Sequence, residues 1–229
     1  TMNRLRRLAV LTVLAALPLS IGHAAPAPRA NWLAQVAITP EGGHRIGNPD
    51  AKVRLVEYAS YTCPHCSAFE VEGANPLAVG FIATGKGSLE LRSYLRNEVD
   101  IAATLLVHCG PVDRFKLNHS MVMRSQPTWM KFPSAAVQQR WRTGTFAARM
   151  RAIASDMHLY PLFTARGYDM PTLDPCLADE AQAERLTREN NTAEQVLGIA
   201  GTPSFIVNDR LQDAWDWKSL RPILMALTR

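Results

Sequence analysis

VRLVEYASYTCPHCSAF, residues 53–69, is the stretch on which the reading of this chain turns. Val53 to Ser60 are β-rich and mostly apolar, as a buried strand should be. The strand runs into Tyr61-Thr62-Cys63-Pro64, where a helix starts. Pro64 suits the first helical position, because its missing N–H would lack a partner there anyway. Cys63 therefore falls at a helix N-terminus, with Cys66 one turn deeper.

Working outward, the helix is predicted to run towards Gly85 with a kink at Pro76. Leu89, Leu91, Ser93 and Leu95 share one face of a second strand over 88–95. From Asp100 to about Cys176 the chain reads as short helices broken by Gly110-Pro111, Pro127, Pro133 and Gly144. A longer helix covers 181–197, with Gly198 just past its end. SFIV (204–207) is a third strand, and Asn208-Asp209 a tight turn into a weak fourth near Leu211 to Trp215. A final helix spans 216–227, with Pro222 in its first turns or bending it. Residues 25–43 read as a loose lead-in ending at Gly42-Gly43. This order implies an α/β fold with a helical insertion, since a helical bundle would leave the β-rich segments unexplained.

The N-terminus sets the compartment. Arg4, Arg6 and Arg7 precede an apolar run over 8–22, and Gly22 and Ala24 supply small residues at −3 and −1. That pattern is a secretory signal peptide over residues 1–24. The apolar run is about 15 residues, short of the roughly 20 needed to span a bilayer, and Pro18 interrupts it. A retained membrane anchor is the alternative. The expectation is a periplasmic protein, in a compartment where disulfides persist. Removing residues 1–24 takes three arginines and no acid from a formal charge of +5, leaving +2. With no basic stripe interleaved with aromatics, that charge gives no argument for nucleic acid. At 47% hydrophobic, the chain has ample material for one domain carrying an insertion.

What the cysteines do follows by comparison of chemistries. A structural zinc needs four ligands, usually as two paired half-sites. This chain has one C-x-x-C, with Cys109 and Cys176 single and His108 a lone neighbour. His44, His108, His119 and His158 form no ligand-spaced cluster, and no metal or cofactor is expected. Gly85-Lys86-Gly87 lacks the third glycine of a dinucleotide loop. A structural disulfide between Cys63 and Cys66 would close a tiny loop and remove little unfolded-state entropy. The pair makes more sense as a redox couple. Unpaired N–H groups and the helix dipole favour a thiolate at Cys63, and His65 adds positive charge or a hydrogen bond.

CPHC after LVEYASYT, together with GTPSF at 201–205, resembles the DsbA-like thiol:disulfide oxidoreductases of the thioredoxin superfamily. The resemblance covers about residues 44–229. It implies a thioredoxin-like domain over 44–99 and 186–229, split by an all-helical insertion over 100–185. Pro64-His65 is the dipeptide typical of the oxidase branch, and Phe69-Glu70 matches the family's helix. Glu57, six residues before Cys63, falls where the family commonly carries a buried acid. Thr202-Pro203 matches the loop whose proline is cis and faces the active-site disulfide. On this resemblance Cys63 is the exposed sulfur that a substrate thiolate attacks, and Cys66 resolves the mixed disulfide. Glu57 moves a proton to or from Cys66, and Thr202 offers its backbone to an extended peptide.

The implied function is donation of the Cys63–Cys66 disulfide to reduced secreted proteins, with a membrane oxidase regenerating it and the protein acting as a monomer. A disulfide isomerase or reductase, or a non-catalytic thioredoxin-like binding module, is the alternative. Isomerases of the superfamily use an extra N-terminal dimerisation domain, for which residues 25–43 leave little room. Cys109 and Cys176 depart from the simplest family members. In an oxidising compartment two leftover thiols are expected to pair, tying the ends of the insertion together. A second redox pair that exchanges with Cys63–Cys66, or two free buried thiols, are the alternatives.

Overall fold

The computed structural model describes residues 30–228, so the expected signal peptide over 1–24 lies outside the described residues. Among them, six strands form one sheet: β1 (Val36–Ile38), β2 (His44–Gly47), β3 (Val53–Ala59), β4 (Gly87–Ser93), β5 (Ser204–Val207) and β6 (Arg210–Leu211). Their order is β1-β2-β4-β3-β5-β6. β3 lies inside the sheet, parallel to β4 and antiparallel to β5. Its first four residues alternate in burial and its last three, Glu57 among them, are all buried, so the segment reads as mostly apolar. The turn into β6 uses Asn208 and Asp209 at φ of 47° and 66°. Short polar residues tolerate that left-handed backbone, so the hairpin can turn in two residues.

Several elements differ from the sequence expectation: β2 was not foreseen, and the fourth strand, expected near Leu211 to Trp215, covers only Arg210–Leu211. The lead-in over 25–43 is not loose throughout, because Val36, Ala37 and Ile38 pair with Ile46, Arg45 and His44. Three residues are too few to show an alternation that could be read in advance. The helix expected from Pro64 to Gly85 ends early: α1 covers Pro64–Glu72 and α2 covers Ala74–Leu77, followed by a wide turn over Ala78–Ile82. The break falls at Gly73 instead of Pro76. Restarting there puts Pro76 in the first turn of α2, where no proline N–H is required.

The helical block follows β4. It comprises α3 (Glu98–Val107), α4 (Phe115–Arg124), α5 (Gln126–Trp129), α6 (Ala135–Gln138), α7 (Phe146–Asp156), α8 (Leu159–Thr164) and α9 (Met170–Leu177). α10 (Glu180–Gln195) returns to the sheet, and α11 (Trp217–Leu227) ends the chain with Asp216 and Ser219 in a capping box. Leu55 and Phe205 of the sheet, Phe69 of α1, and Ile153 and Leu173 of the block belong to one contiguous apolar core. Sheet and block therefore share a single interior.

Cys109, just past α3, is bonded to Cys176 in α9, with Cα atoms 5.7 Å apart and 67 residues between them in sequence. Closing such a loop removes unfolded-state entropy worth about 4 kcal/mol. We expect Cys109→Ala/Cys176→Ala to lower the melting temperature while the dithiol oxidation expected of Cys63–Cys66 stays intact. Lost oxidation at unchanged stability would assign that bond a redox role instead.

Three histidines that are far apart in sequence meet where the sheet joins the block. His44 of β2 stacks on Phe115 with ring centroids 3.7 Å apart, and His108 lies 4.4 Å from His44. His119 lies 5.9 Å from the Phe115 ring. Burial pushes all three below the ordinary imidazole range, His44 to about 4. The repulsion among them adds to this for His44 and His108, whereas the nearby Glu70 charge works against it at His119. The unfolded chain protonates its histidines near ~6.5, before the folded protein does. Their contribution to stability is thus present above that pH and is lost as pH falls towards about 4. The urea midpoint should decline between pH 6.5 and 4.5, and His44→Phe should flatten that decline. An equally steep fall in the variant would exclude His44 as a source.

Candidate active site

β3 delivers its C-terminal end into the turn Ser60-Tyr61-Thr62, and Cys63 follows as the N-cap of α1 with extended backbone (φ −95°, ψ 117°). Pro64 occupies the first helical position and has no N–H to offer. The backbone donors that favour charge on Cys63 Sγ are therefore the N–H groups of His65 and Cys66. The Thr202–Pro203 bond is cis. The Cys63 thiol donates to the Thr202 carbonyl at 3.2 Å.

The two cysteines are unbonded to each other and chemically unequal. Cys63 is pulled down to about 5, first by a hydrogen bond from the Cys66 thiol. Burial opposes this, while the Thr202 side chain and the two backbone N–H groups assist. Cys66 is pushed far above the thiol range by burial, then by its bond to Cys63 and by the charges of Cys63 and Glu57. At neutral pH the reduced site is thus a Cys63 thiolate accepting from a Cys66 thiol.

Several sequence-predicted residues take places that differ in detail from expectation. Cys63 is not exposed: its residue is 4% accessible and Cys66 only 1%. Access to the sulfur comes through a cleft of about 660 Å³ lined by Cys63, His65, Tyr94, Arg96, Glu194 and Thr202, among others. His65 is exposed, and its contribution to Cys63 comes from its backbone N–H. Glu57 points inward from β3 at 4% exposure. Burial and the Glu70 charge push its carboxyl well above the usual carboxylate range. Glu70 itself, in α1, is held by Ser120 at 2.6 Å and Arg124 at 3.1 Å. Cys109 and Cys176 are joined elsewhere and do not line this cleft.

Residues that no motif marked complete the site. Gln126 of α5 donates its amide to the carbonyls of Tyr61 at 2.8 Å and Cys63 at 3.0 Å. Tyr61 in turn meets His119 Nδ1 at 3.0 Å through its hydroxyl. Asp100 of α3 holds the same turn from the other side. These contacts join segments 38 to 65 positions apart, so local sequence carried no signal for them. Among the described residues, no group of three or more His, Cys, Asp or Glu is placed to hold a metal.

Comparison with known proteins agrees with this geometry. The family model described as "Thioredoxin" matches residues 39–226. The crystal structure of a protein-disulfide isomerase from Novosphingobium aromaticivorans is 46% identical, with a TM-score of 0.78, covering 82% of this chain and 98% of that one. The crystal structure of Wolbachia pipientis alpha-DsbA1 shares the fold at 19% identity and a TM-score of 0.68, covering 83% and 92%. A Rickettsia bellii protein provisionally named as a protein-disulfide oxidoreductase is 27% identical over 164 residues, 71% of this chain and 56% of that protein. The chain spans little more than half the length of the curated relatives it matches.

The inequality of the two thiols can be measured. In the reduced protein at mildly acidic pH, iodoacetamide should modify Cys63 and leave Cys66 untouched, with a midpoint near pH 5. Because the Cys66 hydrogen bond is the largest cause of that low value, Cys66→Ala should move the midpoint upward. Modification of Cys66 first would reverse the roles.

Proposed function

The chain belongs to the thioredoxin family, and we propose that it is a protein dithiol:disulfide oxidoreductase that donates a Cys63–Cys66 disulfide to reduced secreted proteins, as DsbA-like oxidases do. The observation that carries this reading is the stabilised sulfur of Cys63 at the head of α1, with Cys66 behind it and the Thr202 side chain assisting from the facing loop. A dithiol form that is stabilised by a low-pKa thiolate makes the corresponding disulfide oxidising.

The steps balance as follows. A substrate thiolate attacks Cys63 Sγ of the oxidised pair, forming a substrate–Cys63 disulfide as the Cys63–Cys66 bond breaks. Cys66 would be a poor leaving group as a thiolate, since burial disfavours its charge. Glu57, holding a proton because of its own burial, supplies it to Cys66. The second substrate thiolate then attacks the substrate sulfur and expels the Cys63 thiolate, a good leaving group. Substrate is oxidised by two electrons, and Cys63 and Cys66 are reduced. One substrate proton is accounted for on Cys66, with Glu57 re-protonated, and the other passes to solvent.

We place this activity in the periplasm after removal of residues 1–24, with a membrane oxidase restoring the disulfide and the protein acting as a monomer. A second reading, disulfide isomerisation, has one observation in its favour: the 46%-identical solved structure is that of a protein-disulfide isomerase. The two separate in parallel assays. The oxidised protein should convert a reduced dithiol peptide to its disulfide stoichiometrically, and should reactivate a scrambled multi-disulfide protein slowly. The reverse ranking would favour the isomerase. Glu57→Gln should slow the oxidation at pH 7 by about 10²-fold, the loss expected for a proton-transfer group. An unchanged rate would remove Glu57 from the mechanism.

A further inference from the structure

Asp100 sits in the first turn of α3 and is 0% exposed. Its Oδ1 accepts from the Ser60 hydroxyl at 2.9 Å and the Thr62 N–H at 3.0 Å. Its Oδ2 accepts from the Thr62 hydroxyl at 2.9 Å and the Arg96 N–H at 2.9 Å. Asn97 supports the arrangement by capping α3 with Oδ1 while its amide donates to Thr62 Oγ1 at 3.0 Å. The Arg96 guanidinium adds a bond to the Thr62 carbonyl at 3.3 Å.

An acid early in a helix commonly serves its own helix, facing the unpaired N–H groups and solvent. Asp100 does neither. Its own N–H is taken by Asn97, and three of its four donors belong to the two residues flanking Tyr61, immediately before Cys63. Burial raises the proton affinity of Asp100 and these donors oppose that rise, as hydrogen bonds to an ionised acceptor, roughly twice as strong as neutral ones, do. An amide replaces it poorly, because each carboxylate oxygen faces a backbone N–H that can only donate, Thr62 at Oδ1 and Arg96 at Oδ2, and an NH₂ would confront one of them.

We infer that Asp100 is a positioning residue for thiol–disulfide exchange, holding the Ser60–Thr62 turn so that Cys63 Sγ meets Cys66, Thr202 and the head of α1 together. The inference rests on the reading of Cys63–Cys66 as the redox pair. Asp100 touches no reacting atom, so its effect travels through the turn.

The test exploits two effects of opposite sign. Removing a negative charge close to Cys63 would by itself favour the thiolate and lower the alkylation midpoint. Loosening the turn would withdraw the hydrogen bonds that favour the thiolate and raise it. We expect Asp100→Asn to raise the midpoint by about one pH unit, which lowers the iodoacetamide rate at pH 5 about fivefold. Thr62→Val, which keeps the side-chain shape and removes one donor, should move it the same way by less. Leu173→Ala, a core change in α9 remote from the turn in sequence, should lower the melting temperature without moving the midpoint. A fall, or no change, in the Asp100→Asn midpoint overturns the inference. If that variant does not fold, Thr62→Val decides by the same criterion. Failure of the redox reading would look different, since the wild-type protein would then not oxidise a dithiol peptide while the alkylation midpoints stayed measurable.

Discussion

A sulfur that carries charge beneath a surface only 4% open must be solvated by the protein itself, and the fold around Cys63 is built to that requirement. The donors come from three directions: the helix head, the Cys66 thiol and the Thr202 loop. They converge because of sheet register. β3 and β5 run antiparallel with Tyr58 opposite Ser204, so the last residues of one strand and the first of the other lie side by side. Cys63 follows the first strand through a short turn, and Pro203 leads into the second. Segments roughly 140 residues apart are thereby fixed within hydrogen-bond distance.

The helical block is a structural part of this arrangement. It shares one core with the sheet, and Gln126 reaches from it to both carbonyls flanking Thr62. With Asp100 on the other side, the turn is gripped at its carbonyls by a donor and at its N–H and hydroxyl groups by an acceptor. That pairing satisfies buried backbone groups which water cannot reach. It also links the stiffness of the reactive sulfur to the stability of the block, which the Cys109–Cys176 bond reinforces by closing a long loop.

What could be read from sequence was what is local. The strand into Cys63, the proline after it, the Asn208-Asp209 turn and the long helix stopping before Gly198 all depend on neighbours a few residues away, and α10 indeed ends at Gln195. Asp100 entered the sequence reading only as the start of the helical block, and Gln126, beside the break at Pro127, not at all. His44, His108 and His119 showed no ligand spacing because tertiary packing, not periodicity, brings them together. The burial of Cys63 was hidden for the same reason, since the residues that cover it come from other parts of the chain. The break at Gly73 shows local rules competing, with proline tolerance at a helix start outweighing a kink.

Two buried carboxylates near the pair show how environment divides labour between identical chemistry. Burial raises the proton affinity of both Glu57 and Asp100. At Asp100 the Arg96 N–H, Ser60 and Thr62 pull back, giving the ionised form partners on both oxygens. At Glu57 the second influence is the Glu70 charge, which pushes the same way as burial. Donors to both oxygens let Asp100 hold geometry, whereas Glu57 has two influences that both favour its protonated form. In the proposed exchange Cys66 calls for such a donor, because burial disfavours its thiolate, whereas Cys63 calls for none. The unequal sulfurs and the unequal acids answer to one constraint, which is that charge is admitted only where donors already point.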